Sequence, residues 1–147
     1  MSPKIALVVI TFWVGGLWMT GLSASILFDT IKDRQLAGSV AGQLFTAVSY
    51  IGMVSASFLL FQRFVEDKKA SFKQVYYWII IVMLLLILIG FFGSQSHLAQ
   101  LKTDAYPVDV MHSQYASEFA AWHGVSGAVY LIECLLGIAL VLKSRSS

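Results

Sequence analysis

The spacing of charges constrains this chain more than any other feature. No Asp, Glu, Lys or Arg occurs between Lys4 and Asp29, between Arg34 and Arg63, or between Lys73 and Lys102. A fourth stretch, Phe119 to Leu142, has Glu133 as its one charge. A helix crosses a bilayer core with about 20 mostly apolar residues. Every stretch is long enough, and none alternates with the period of a barrel strand. In lipid the backbone must satisfy its own hydrogen bonds, which a helix does within one segment. The sequence predicts an all-α membrane protein, a four-transmembrane-helix up-down bundle forming one domain over residues 1–147. Its helices are expected near 5–28, 37–62, 75–98 and 117–142.

Composition agrees. The chain is 58% hydrophobic and 12% charged, whereas soluble domains average ~45–50% apolar and ~25% charged. That leaves too few polar side chains to cover a globule, which excludes a soluble enzyme, a disordered chain and a nucleic-acid-binding module. A net charge of +2 is also too mild to attract a polyanion. Lys4 and the small residues Ser23, Ala24 and Ser25 suit a cleaved signal peptide. The apolar stretch between them exceeds the ~7–15 residues of a signal core, so a retained anchor is expected.

Basic residues in short loops set orientation. Lys4, Arg63, Lys68, Lys69, Lys73, Lys143 and Arg145 fall on one side, and Lys32, Arg34 and Lys102 on the other. Both termini are therefore expected in the cytoplasm. The opposite face is acidic, with Asp29, Asp33, Asp104, Asp109 and Glu118. Tyr76, Tyr77 and Trp78 read as an interfacial belt, and Trp13, Trp18 and Trp122 as further anchors.

Lipid provides no hydrophobic drive for helix association, so small residues must allow close backbone approach. Gly16 with Thr20, Gly38 with Gly42, and Ala120, Gly124 and Ala128 have that spacing. Packing inside one bundle is expected of them ahead of a dedicated dimer face. Polar or small stripes recur on each helix: Trp13, Gly16, Thr20, Ser23; Gly42, Thr46, Ser49, Met53; Met83, Gly90, Gly93, His97; and His123, Ser126, Tyr130, Glu133. The last four cover about 80° of a helix. Such stripes can converge on one polar seam, or serve ordinary interhelical hydrogen bonds.

Glu133 is the sharpest chemical feature. A charged carboxylate at mid-span costs at least ~2.5 kcal/mol on insertion scales, and an ionisable group at that depth is a functional candidate. It reads as a proton or cation site, or as a protonated carboxyl bonded to Ser49 or Thr20. His123 reads as a metal or haem ligand, as the first station of a relay through Tyr130 to Glu133, or as a neutral histidine bonded across the bundle. A bis-histidine haem needs two ligands at matching depth. His123 is expected ~8 Å deeper than His97, which disfavours it unless the third helix runs longer. His97, Met111 and His112 with Asp104 and Asp109 suit copper by ligand type, but no tight motif marks a site. Cys134 has no second cysteine to pair with.

The succession WVGGLW at 13–18, Leu27-Phe28, LAGSVAGQLF at 36–45, Tyr50, Gly52 and WHGVS at 122–126 resembles the transmembrane-protein-205-like family, domain of unknown function 4149. The resemblance implies a four-helix membrane protein of this length, bacterial in the short form. It implies no reaction and no ligand set. The expected protein is a multi-pass protein of the bacterial inner membrane, a non-enzymatic accessory or transport-related subunit working through helix contacts. One alternative is a copper- or haem-binding protein using His123 with His97 or His112. The other is a small membrane enzyme with His123 and Glu133 as acid and base. The bilayer, other membrane proteins and a second copy of the chain are the expected partners.

Overall fold

The computed structural model describes residues 3–66 and 74–144. The regular structure of the described residues is helical and includes no strand. Helix α1 spans Pro3–Thr30 and α2 spans Arg34–Glu66. The third span begins as α3 (Val75–Leu88), widens into a π-helical stretch over Ile89–Gln95 and continues as α4 (Ser96–Ala105). A short 3-10 turn (Val110–His112) leads into α5 (Ala116–Ser144). Four of these helical runs are long and apolar enough to cross a membrane.

The observed helices outrun the expected ones. The third runs to Ala105 rather than ending near 98, because nothing between Ser96 and Ala105 breaks a helix and Pro107 is the first residue that must. At the start of α2, the Asp33 carboxylate accepts from the backbone N–H groups of Gln35 (2.9 Å) and Leu36 (3.1 Å). Those are donors that a helix leaves unmet. Asp109 does the same for Met111 at 2.8 Å. Two of the acidic residues on this face are therefore helix and turn caps.

Cross-helix contacts fix the registers. Gly16 lies against Val48, and Phe28 against Gly38. Gly52 lies against Ile87, and Thr46 reaches Gln95. His97 reaches Glu118, Gly137 meets Val14, and Tyr130 meets Gly21. Along α1–α2, α2–third span and α1–α5 one number rises as the other falls, so these neighbours are antiparallel and the bundle is up-down. Pro3, Glu66, Val75 and Ser144 lie together and make up the terminal end. The turns at 31–33 and 106–115 form the loop end. Lys68, Lys69, Lys73 and Arg145, which enter the charge division, lie outside the described residues.

The core gathers Trp13, Ile10, Leu17, Leu59, Ile80, Met83 and Leu140, the largest fully buried side chains. Trp13 is thus a core residue rather than an interfacial anchor. Tyr76 and Tyr77 are also buried, and Trp78 alone of that belt is exposed. Arg63 lies over the Tyr76 ring at 5.3 Å, a cation–π contact.

Candidate functional site

Gly52, Gly137 and Gly21 admit close neighbours. A Cβ on Gly52 would come within 2.6 Å of Ile87 Cδ1 and 2.9 Å of Trp13 Nε1. One on Gly137 would meet Val14 at 3.1 Å, and one on Gly21 the Tyr130 ring at 3.3 Å. Gly16 and Gly38 have looser neighbours, at 3.7 and 3.9 Å. At Gly42 and Gly124 a Cβ would meet nothing within 4 Å among the described residues. The small residues that let α5 approach α1 are therefore Gly21 and Gly137. The Ala120, Gly124 and Ala128 row is exposed.

That approach sets the surroundings of Glu133. Its neighbour Tyr130 packs edge-on against Phe45 with ring centres 4.9 Å apart. The Tyr130 hydroxyl donates to the carbonyl of Leu17, and the Thr20 side chain lies within hydrogen-bond reach of the same hydroxyl. Glu133 itself is 6% exposed. It makes no hydrogen bond or ion pair among the described residues, and its carboxyl oxygens are not fully enclosed. Ser49, one expected partner, donates instead to its own helix at Phe45 O, 2.8 Å away. Thr20, the other, makes no hydrogen bond to Glu133 and lies close to the Tyr130 hydroxyl. Tyr130 and Cys134 are the titratable groups within electrostatic reach of Glu133. The site is a buried glutamate without a fixed donor, midway along a helix long and apolar enough to cross a membrane.

The rest of the expected α5 stripe diverges from it. His123 is exposed, its ring stacked on Phe119 at 6.0 Å. Ser126 donates to Trp122 O at 2.9 Å within α5. Glu133 is buried, Tyr130 and Ser126 are half-buried and His123 is exposed, so the four do not line one buried seam. On the third span the π-helical stretch resets the phase. Met83 is buried as expected, but Ser94 takes the inward position beyond it, and Gly90 and Gly93 have open space around them.

The histidines are separated by their own partners. His97 Nε2 meets Glu118 Oε1 at 2.9 Å and its ring packs on Trp122 at 5.0 Å. His97 therefore lies level with the first turns of α5, nearer to His123 in depth than the expected ~8 Å, because the third helix continues past it. His112, with a side chain 82% exposed, lies 3.9 Å from Asp109. The described residues contain no group of three or more His, Cys, Asp or Glu placed to hold a metal ion. A shallow apolar groove of about 380 Å³, lined by Phe12, Tyr50, Ile51, Val54 and Ser55, marks the outside of the α1–α2 pair.

Sequence reasoning finds Glu133 but misses the Trp13–Gly52–Ile87 contact beneath it. A glycine between large apolar neighbours on three helices is its only sequence signal. A family model described as Domain of unknown function (DUF4149) matches residues 8–107. The match covers α1, α2 and the third span, and ends before α5, so WHGVS, Tyr130 and Glu133 lie beyond it. No curated protein and no solved structure matches the chain.

Proposed function

Starting from the fact that this chain belongs to the DUF4149 family, we propose that it is a non-enzymatic, transport-related accessory protein of the bacterial inner membrane, with Glu133 as its proton-binding group. The observation that carries this reading is the unpartnered carboxyl of Glu133, 6% exposed within a spanning helix. Retaining an ionisable side chain there opposes insertion by at least ~2.5 kcal/mol. A purely structural carboxyl would be expected to return some of that cost through a fixed hydrogen bond, and Glu133 has none among the described residues. The acid–base pair of an enzyme has weaker support, because His123 sits at the surface stacked on Phe119. A copper or haem site built on His97 would have to displace Glu118.

In this reading both termini lie in the cytoplasm, which the seven-to-three division of basic residues supports. The exposed first half of α5 offers a face to a neighbouring membrane helix, which suits an accessory role. Dicyclohexylcarbodiimide tests the proton site, because it reacts with protonated carboxyls buried in apolar surroundings. In detergent, mass spectrometry should find the stable N-acylurea on Glu133, and more of it as pH falls. Adducts confined to other carboxyls, with Glu133 unmodified at every pH, would overturn the reading.

A further inference from the structure

Several hydroxyl side chains in these helices satisfy themselves. Thr11, Ser25, Ser49, Thr103 and Ser126 each donate to the main-chain carbonyl four residues back, the usual way a helix accommodates a hydroxyl. Ser55 on α2 does not. It is 7% exposed and makes no hydrogen bond among the described residues. Its Oγ is nonetheless not sealed inside the core. It borders the groove that Phe12 of α1 forms with Tyr50, Ile51 and Val54 of α2. The Tyr50 hydroxyl also makes no hydrogen bond among the described residues.

The groove lies well below the level of lipid headgroups. Ser55 is eight residues from Arg63 and Phe12 eight from Lys4, about 12 Å along either helix. A hydrocarbon core is about 30 Å thick, so no water is at hand to take up these hydroxyls, and an unpaired donor there is costly. From Tyr50 to Ser55 the groove runs only about 8 Å along α2. Its volume of about 380 Å³ falls within the ~300–1,000 Å³ of small-molecule sites. A crossing helix needs contact over several turns, and an acyl chain offers Ser55 no acceptor. The walls are aromatic. Phe12 and Tyr50, 67% and 56% exposed, flank the groove from α1 and α2. The Tyr50 ring meets Phe91 at 5.2 Å, and Phe91 meets Phe92 at 5.1 Å, on the π-helical stretch.

We propose that this groove binds the head of a membrane-soluble quinone, with one quinone carbonyl accepting from the Ser55 hydroxyl. A quinone combines what the groove lacks: a flat ring that dissolves in hydrocarbon and an acceptor on its edge. The ring lies against Phe12 and Tyr50, since aromatic faces favour offset or edge contacts with a flat π-system. Ile51 and Val54 supply apolar contact, and the tail stays in the bilayer. A glycerophospholipid does not meet the need, because its carbonyls sit at headgroup level. The groove is on the outside of the α1–α2 pair and does not depend on Glu133.

A decyl-quinone carrying a photoreactive azide tests the site on the full chain in phosphatidylcholine nanodiscs. After photolysis, peptide mapping should place the label at Phe12, Tyr50 or Val54. Labelling should saturate, and unlabelled decyl-quinone should compete with it. Ser55→Ala should weaken binding severalfold, the effect of one lost hydrogen bond, and Val54→Trp should abolish it by filling the groove. Circular dichroism confirms that both variants are folded. Binding unchanged in a folded Ser55→Ala protein would overturn the proposal. So would label that never saturates and spreads over the exposed residues of all four spans, which is the pattern of a probe merely dissolved in lipid. Cross-links that join Phe12 or Val54 to a second copy of the chain, undiminished by added quinone, would give the groove to a dimer contact instead and overturn it as well.

Discussion

The hydroxyl of Tyr130 on α5 donates to the main-chain carbonyl of Leu17 on α1, joining residues 113 positions apart in the chain. The carbonyl belongs to a helix whose own ladder already uses it, so the tyrosine adds a second acceptance rather than rescuing an orphan. Tyr130→Phe should therefore cost little, about 0.6 kcal/mol and no more than ~1.7, the span found for interhelical bonds in membranes. Tyr130→Ala should cost several times more, because the ring also fills the space beside Gly21 and Phe45. Equilibrium unfolding in mixed micelles reads both, and equal losses in the two variants would contradict this division.

Gly52→Ala should destabilise the bundle by about 1–3 kcal/mol, the usual cost of overpacking. The new methyl would fall 2.6 Å from Ile87 and 2.9 Å from the Trp13 indole nitrogen, which lie on two other helices. Gly124→Ala meets nothing within 4 Å and gains helix propensity of up to about 1 kcal/mol on the scale for water-exposed helices. Thermal unfolding of the two variants side by side should give opposite signs.

His97 and Glu118 form a pair at 2.9 Å with side chains 38% and 50% exposed. Exposed pairs contribute about 0.2–1 kcal/mol. A double-mutant cycle with His97→Gln and Glu118→Gln should return a coupling in that range. Coupling well above it would show a more deeply desolvated pair, as a ligand or partner resting on this end would produce.

Topology reporters read the orientation. Fused after Ser147, or placed between Glu66 and Gln74, they should both report the cytoplasm, and a reporter at Val108 the opposite side. A C-terminal reporter on the same side as Val108 would contradict an even number of spans.

Much of this architecture is legible in the sequence, because charge-free runs longer than a bilayer-crossing helix leave few alternatives. Glu133 is legible for a related reason, since a carboxylate in such a run stands out whatever its partners. Its surroundings are not. Ser49 and Thr20 have the right chemistry to bond it, yet a hydroxyl in a helix can equally donate to the carbonyl four residues back, as Ser49 does to Phe45. Spacing alone does not choose between them. The His123 stripe misleads because its arc straddles the boundary between the buried and open faces of α5. The third span misleads because a π-helical stretch shifts every later residue around the axis, and nothing in IGFFGSQ announces it before the fold is known. Small-residue spacing also says nothing of the large side chains that fill the gaps such residues leave. Gly52, flanked by apolar residues, therefore outranks Gly42 in contact while lacking a small partner on the facing helix.

Infrared difference spectroscopy tests most directly whether Glu133 binds and releases a proton. The C=O stretch of a protonated carboxyl is separate from that of a carboxylate and from the amide bands. Spectra of the protein in lipid, recorded across a pH titration, should contain a carboxylic C=O band that disappears as pH rises. That band should be missing from Glu133→Gln and displaced in Glu133→Asp. A titrating band that persists unchanged in Glu133→Gln, or no such band in the native protein, would contradict the account.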